Sequence, residues 1–459
     1  MRGDMVNDAG AGKIRDAILV VPGIMGSELV DTESGALLWG LRDPRWYLSA
    51  WTTGRGLRQL AVTDEELDGK TGRVRPGRLL RAPAYAPVLR GSEPYTALVR
   101  KLEDACVHPC AVAEFAYDWR LPVRRTAQFL ADAAECHLRS WRGFGEGHGD
   151  ARLIIVAHSM GGLLARHFVE DLGGAAEVRT LLTLGTPYFG AVKAAVILNL
   201  GRGSPVPLPR KHLRTLAATL PGLYDLLPRY RCVDEHGGPR LLTDADTAAL
   251  GGNGDLAASS LGHRWSDSPP PQLRAVVGLN QPTAQSMTID AGKVNPRNFL
   301  RGADGGSEDH SGDGTVFRLS ATGFTERPGY LSQQHSALAK APETLDLARA
   351  VLTERDLGPP LGARGVGVDA PDLVAVGQPF TVRVIGGGDA AGLGCRIQSA
   401  ESHTQIARPV FQRQGDEITA RARIPAPGIY RIDVKQTGAS PVSCLVMAAP
   451  ADDLSLWEE

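Results

Sequence analysis

Along most of this chain, short runs of consecutive apolar residues alternate with stretches in which apolar positions recur every three or four residues; toward the end the period falls to two. The runs Ala17–Val21 (AILVV) and Leu153–Val156 (LIIV) have the length and β-branching of strands buried on both faces, and Val178–Leu184 (VRTLLTL) and Leu273–Gly278 (LRAVVG) are expected to continue the sheet. Between them, 94–107 (Tyr95, Leu98, Val99 and Leu102 on one face), 124–141 and the stretch through Leu163, Leu164, His167 and Phe168 carry helical spacing. A further strand is expected from Ala111 toward Arg120, and a last helix over 342–354. Strands and helices in alternation predict a parallel sheet covered on both faces, an α/β architecture.

Two stretches interrupt this rhythm. Residues 38–90 collect Trp39, Trp46, Tyr47, Trp51 and Tyr85 among Arg, Pro and Gly, and 191–265 mix Leu, Pro and Gly in a pattern of short helices. Aromatic and leucine-rich excursions between core strands are expected to form a cap and a lid over a site. After the Gly- and Pro-rich linker 357–365, the segments Phe380–Val384, Ile418–Ile424 and Tyr430–Val434 alternate apolar and polar residues between turns. Short alternating strands over 366–459 predict a second, all-β domain, an immunoglobulin-like sandwich, behind an α/β domain spanning 1–357.

The composition narrows the function classes. Across 459 residues, 50 Lys and Arg nearly cancel 51 Asp and Glu, so no overall field favours nucleic acid, and 43% apolar content is enough for a large core. The amino terminus is polar, the run 17–25 is broken by Pro22-Gly23, and no stretch approaches the ~20 apolar residues of a membrane span. A soluble, cytoplasmic protein is the expectation. Its six scattered cysteines suit reduced thiols, and Cys106-x-His108-x-Cys110 lacks a second ligand pair at matching spacing.

Candidate chemistry is concentrated where the strand at 153–156 meets the following helix through Ala157-His158-Ser159-Met160-Gly161-Gly162. A turn so sharp tolerates only small residues two places before and after its apex, and Ala157 and Gly161 hold those places around Ser159. This is the pattern of a nucleophile elbow, which lifts a serine hydroxyl above a sheet and aims the next backbone N–H, that of Met160, at a developing oxyanion. The loop Pro22-Gly23-Ile24-Met25-Gly26 after the first strand is the candidate for the second donor, the N–H of Ile24. A serine hydroxyl needs a histidine base, and that base a carboxylate to fix its tautomer. In the chain order Ser, acid, His, Asp313 and His335 fit: Asp313 lies between glycines in the acidic loop 302–314, and His335 precedes the last helix. Their rivals are Asp304, Glu308 and Asp309 for the acid and His310 for the base.

The ordered set PGIMGSEL (22–29), AYDWR (116–120), AHSMGG (157–162), GTPYFG (185–190), GDGTV (312–316) and the late His335 resembles the lecithin:cholesterol acyltransferase-like family of α/β hydrolases, which includes phospholipase A2-type enzymes. The resemblance covers roughly residues 15–350. It implies a doubly wound, mostly parallel sheet with Ser159 as nucleophile, Asp313 as acid, His335 as base, and Ile24 and Met160 as oxyanion donors. It further implies an acyl-ester or lipid substrate, with transfer of the acyl group to water or to an alcohol, and transient contact of the cap with a membrane surface. For residues 117–120 a structural role is expected. The chemistry calls for no cofactor and no metal. The sandwich carries no catalytic constellation, and docking a protein partner is the role left to it. A catalytically silent lipid- or protein-binding module is the alternative outside the enzymes.

Overall fold

The computed structural model describes residues 12–40, 54–70, 72–80, 95–204, 208–265, 270, 272–302, 305–323, 325, 328–353, 365–386, 389–400, 402–437, 439 and 441–451. Trp46, Tyr47, Trp51, Tyr85, Asp304 and the linker up to Arg364 lie outside the described residues.

Six strands make the central sheet: β1 (Ala17–Val21), β2 (Val112–Glu114), β3 (Leu153–His158), β4 (Val178–Leu184), β5 (Leu273–Gly278) and β6 (Gly329–Leu331). Their spatial order is β6-β5-β4-β3-β1-β2, and every pairing is parallel. Every residue of β1 and β3 is buried, on both faces, which is why these strands are continuous apolar runs rather than alternating ones. The helices α1 (Thr96–Ala105), α2 (Val123–Arg142), α3 (Met160–Asp171) and α4 (Pro342–Leu352) supply the cover. α2 buries Thr126, Ala127, Leu130, Ala134, Leu138 and Trp141, a stripe at helical spacing, and packs on α3. The strand order reverses between β1 and β3, so the loops at their carboxyl ends, 22–26 and the turn at Ser159, flank the crevice where ligands bind in open α/β sheets.

The described part of the first excursion supplies two one-turn helices and, with Leu37–Trp39 and Val74–Leu79, pairs on Ser27–Asp31 in a three-stranded antiparallel sheet. It is anchored rather than peripheral: Trp39 is 1% exposed, donates through Nε1 to Met25 O and meets Trp119 edge-on. The second excursion forms the short helices expected of it, among them Val192–Leu200, Arg210–Ala217 and Gly254–Leu261. It also carries a hairpin (Val233–Glu235, Gly238–Arg240) that joins Ser286–Asp290 and Lys293–Arg297 in a four-stranded sheet which the sequence pattern did not announce. Beyond residue 365, a four-stranded and a five-stranded sheet enclose a separate core including Phe380, Val382, Ile397, Ile418, Ile432 and Val446. Pro379–Ile385 alternates exposed and buried along its whole length, as period-two patterning requires. Among the described residues no helix is long and apolar enough to cross a membrane.

Candidate active site

β3 ends at His158 and α3 begins at Met160, so Ser159 alone turns the chain from strand to helix, with φ 53° and ψ −126°. That region is all but reserved for glycine, and a serine held there stores backbone strain of about 1–3 kcal/mol. The turn stays closed because its neighbours are small. A Cβ on Gly161 would stand 2.4 Å from Pro22 O, inside the loop that follows β1. Hydrogen bonds then fix the apex: Ser159 N donates to Leu184 O at 2.9 Å, and Thr186 Oγ1 donates to Ser159 O at 3.0 Å.

His335 Nε2 lies 2.8 Å from Ser159 Oγ, and His335 Nδ1 lies 2.7 Å from Asp313 Oδ2. These three side chains come from positions 154 and 22 residues apart and meet at the carboxyl end of the sheet. Asp313 is 1% exposed, and its other oxygen, Oδ1, accepts from Thr315 N (3.0 Å) and Val316 N (2.7 Å). The glycine-flanked setting of Asp313 thus matters for what it lets the backbone do. The main chain joins the pair as well, His335 N donating to Asp313 O at 2.8 Å. With Asp313 on Nδ1, the ring is held with its proton on Nδ1 and its Nε2 lone pair toward the serine. The rivals are engaged elsewhere: His310 lies 3.4 Å from Glu308, and Asp309 accepts from Gln285 Nε2.

The 22–26 loop closes directly over the elbow. A Cβ on Gly23 would meet Ser159 Cβ at 2.8 Å, so only glycine permits this approach. Met160 is the first residue of α3, where a backbone N–H has no partner within the helix, and Ile24 lines the same cavity as Ser159.

A second chain of hydrogen bonds runs behind the serine, built from residues that no local pattern marks. Gly23 N donates to Tyr95 Oη (2.9 Å), Tyr95 Oη donates to His158 Nδ1 (2.9 Å), and His158 Nε2 donates to His335 O (3.1 Å). One tautomer of His158 satisfies all three. Burial, with the adjacent His335 imidazole adding to it, pushes His158 down to about 3, and burial pushes the Tyr95 hydroxyl well above its ordinary range. Both groups are therefore neutral at neutral pH. Tyr95 is legible in sequence only as an apolar-face helix residue, because nothing local tells that its hydroxyl is buried against the elbow.

The site opens into a cavity of about 440 Å³, walled on one side by Ile197, Leu208, Leu213, Leu216, Leu220 and Leu223 of the second excursion. Beneath it, residues 117–120 act on structure. Tyr117 Oη donates to Pro22 O, Trp119 Nε1 donates to Ser27 O, and Arg120, fully buried, binds Asp118 (2.7 Å) and Glu66 (2.8 Å). The C-terminal β region also reaches the site: Val368 N donates to Gln281 Oε1, Gln281 N donates to Gly312 O, and Gln333 Nε2 donates to Pro441 O. The loops that carry Asp313 and His335 are thereby tied to the sandwich.

A parallel sheet with an elbow serine at its switch point, faced by a histidine and a carboxylate from later loops, defines an α/β hydrolase. The family model for lecithin:cholesterol acyltransferase matches residues 69–246, a span that includes Ser159 and stops short of Asp313 and His335. Over that span the chain is similar to the lecithin:cholesterol acyltransferase family, and its sheet and elbow have the α/β-hydrolase fold. Among solved structures it is similar to that of the Tle4–Tli4 complex (15% identity, 74% of this chain and 97% of that one, TM-score 0.45). It is also similar to Bacillus licheniformis lipase BlEst2 in its mature form (13%, 76% and 96%, 0.34) and to phospholipase PlaB from Legionella pneumophila in complex with thio-NAD (13%, 79% and 87%, 0.21). No curated protein matches the sequence.

Proposed function

We propose that the chain is a serine acyl-hydrolase that cleaves carboxylic esters through an acyl-enzyme on Ser159. The observation that carries this reading is the unbroken line Ser159 Oγ–His335 Nε2 (2.8 Å) and His335 Nδ1–Asp313 Oδ2 (2.7 Å) at the floor of a leucine-walled cavity. Ser159 Oγ attacks the ester carbonyl while His335 Nε2 takes its proton, and Asp313 stabilises the imidazolium that forms. The N–H groups of Met160 and Ile24 receive the oxyanion of the tetrahedral intermediate. His335 then returns the proton to the departing alcohol, and water, deprotonated by the same imidazole, releases the acid. The leucine wall seats an acyl chain, and a cavity of this size falls within the range that holds small-molecule ligands.

In the same reading Tyr95 and His158 are positioning residues. Through them the oxyanion loop and the backbone of the base share one hydrogen-bonded frame, and a His158 that stays neutral adds no charge next to the imidazolium of His335. Tyr95→Phe is expected to lower kcat about tenfold with KM little changed, as one buried hydrogen bond of about 1.4 kcal/mol is lost from the geometry of the reacting groups. Steady-state kinetics on a soluble ester checks this; a rise in KM at constant kcat would place Tyr95 in substrate binding instead.

Transfer of the acyl group to an alcohol is a second reading, favoured by the family whose model matches residues 69–246. Product analysis separates the two. An ester and phospholipid panel is incubated with and without long-chain or sterol alcohols: free acid alone in both arms supports hydrolysis, and a new ester that grows with the alcohol supports transfer. No acid and no ester from any substrate would remove the enzymatic reading altogether.

A further inference from the structure

The far end of α3 carries a cluster for which the hydrolytic chemistry has no use. His167 and Asp171 stand one turn apart on the helix, and His263 comes to them from the loop after Gly254–Leu261; one donor atom from each lies within 4.8 Å of the others. His167 is 5% exposed and points Nδ1 at the Asp171 carboxylate, and Nε2 of His263 is buried with no hydrogen-bond partner among the described residues. We infer that His167, Asp171 and His263 form a binding site for a zinc-type divalent cation that ties the C-terminal end of the nucleophile's helix to the second excursion.

Three observations support the site. Two imidazoles and one carboxylate are a donor set that zinc takes, a water being its usual fourth ligand. The backbone already holds His263 in place: its N donates to Ser260 O at 3.1 Å and its O accepts from Arg229 Nη1 at 2.9 Å. Asp171 is the last residue of α3, whose final turn has no basic side chain, so the negative end of the helix dipole faces the cation. Of the nearby positive charges, Arg166 pairs with Glu170 at 2.7 Å and Arg229 faces Asp225, while Arg124 also faces the two imidazoles. Trp265 closes one side, edge-on to both rings and beneath the Arg166 guanidinium.

His167 is eight residues along the helix from Ser159, about 12 Å of rise, too far to touch a reacting ester. The ion's role is to fasten the leucine-bearing excursion, and the chemistry at Ser159 does not depend on it. The test uses full-length, tag-free protein freed of metal by chelator dialysis and titrated with zinc chloride, followed by calorimetry and thermal unfolding. One zinc per chain and a raised Tm are expected. Asp171→Asn, at a half-exposed position that folding tolerates, and His263→Ala should each weaken binding by more than the roughly 10- to 100-fold that loss of an outer partner costs. Their fluorophosphonate labelling at Ser159 should match wild type, which also shows that they are folded. Wild-type protein that takes up no stoichiometric zinc, or variants that bind it as wild type does, would overturn the assignment.

Discussion

Ser159→Ala is expected to lower kcat for ester hydrolysis by on the order of 10⁶-fold while leaving the fold intact. Removing Oγ deletes the nucleophile and leaves His335 and Asp313 paired, so what survives is the weak catalysis of an oxyanion site acting on water. Stability should change little, because alanine keeps the Cβ that makes φ 53° unfavourable. The strain itself can be read from a companion variant. Ser159→Gly removes the nucleophile equally but relieves the backbone, and it should exceed Ser159→Ala in unfolding free energy by about 1 kcal/mol. Urea unfolding of the two side by side checks this. Equal stabilities would mean that the elbow is not strained, and undiminished turnover in either would mean that Ser159 is not the nucleophile.

The largest loss of stability is expected at Arg120, far from any bond that is broken. Its guanidinium is wholly buried, forked on Asp118 through Nε and Nη2 and reaching Glu66 Oε1 and Leu60 O. Burial is the largest influence on Glu66 and by itself would favour the neutral acid, yet the hydrogen bonds from Arg120, Thr63 N and Arg73 and the charge of Arg120 together outweigh it and hold that carboxyl below its usual range. Arg120→Ala therefore leaves Asp118 buried without its cation and Glu66 with Arg73 alone, which binds its Oε2 at 3.0 Å, at a cost of about 3–5 kcal/mol. Removing the charges together, as Arg120→Met with Asp118→Asn and Glu66→Gln, should recover most of that loss, since a buried ion group is worth little beyond its own desolvation. The denaturant midpoint at constant m-value reads both effects. A mild Arg120→Ala would show that water reaches the pair. Because Trp119 and Tyr117 brace the 22–27 loop beside it, the destabilised variant should also lose activity before it unfolds.

Several of these features were legible in the amino-acid order and others were hidden, for physical reasons. β1 and β3 are buried on both faces, so each is a near-continuous apolar run, and the elbow announces itself through the small residues that sterics demand around Ser159. The sandwich strands were legible for the opposite reason, since one solvated face imposes strict alternation. Asp313 and His335 were found through motif order and resemblance, because no local pattern encodes a contact between residues 154 and 176 positions from the serine. Val233–Glu235 and Gly238–Arg240 were missed because three-residue strands are too short to display a period. The three-stranded sheet at 27–79 was hidden among Arg, Pro and Gly, and its buried anchor, Trp39, looks in sequence like any loop aromatic. Tyr95, His158 and the His167–Asp171–His263 cluster share a limitation of another kind. Their partners come from distant segments, and a buried polar atom is defined by its partners, not by its neighbours in the chain.

The central claim, that residues 159, 313 and 335 operate as one nucleophilic unit, is tested most directly by covalent labelling. Native protein is treated with a fluorophosphonate, digested and mapped by mass spectrometry, beside His335→Ala and Asp313→Asn. A single adduct on the peptide bearing Ser159, formed quickly in wild type and slowed by orders of magnitude in both variants, is the predicted result. An adduct on another residue, or equal labelling of Ser159 in all three proteins, would contradict it.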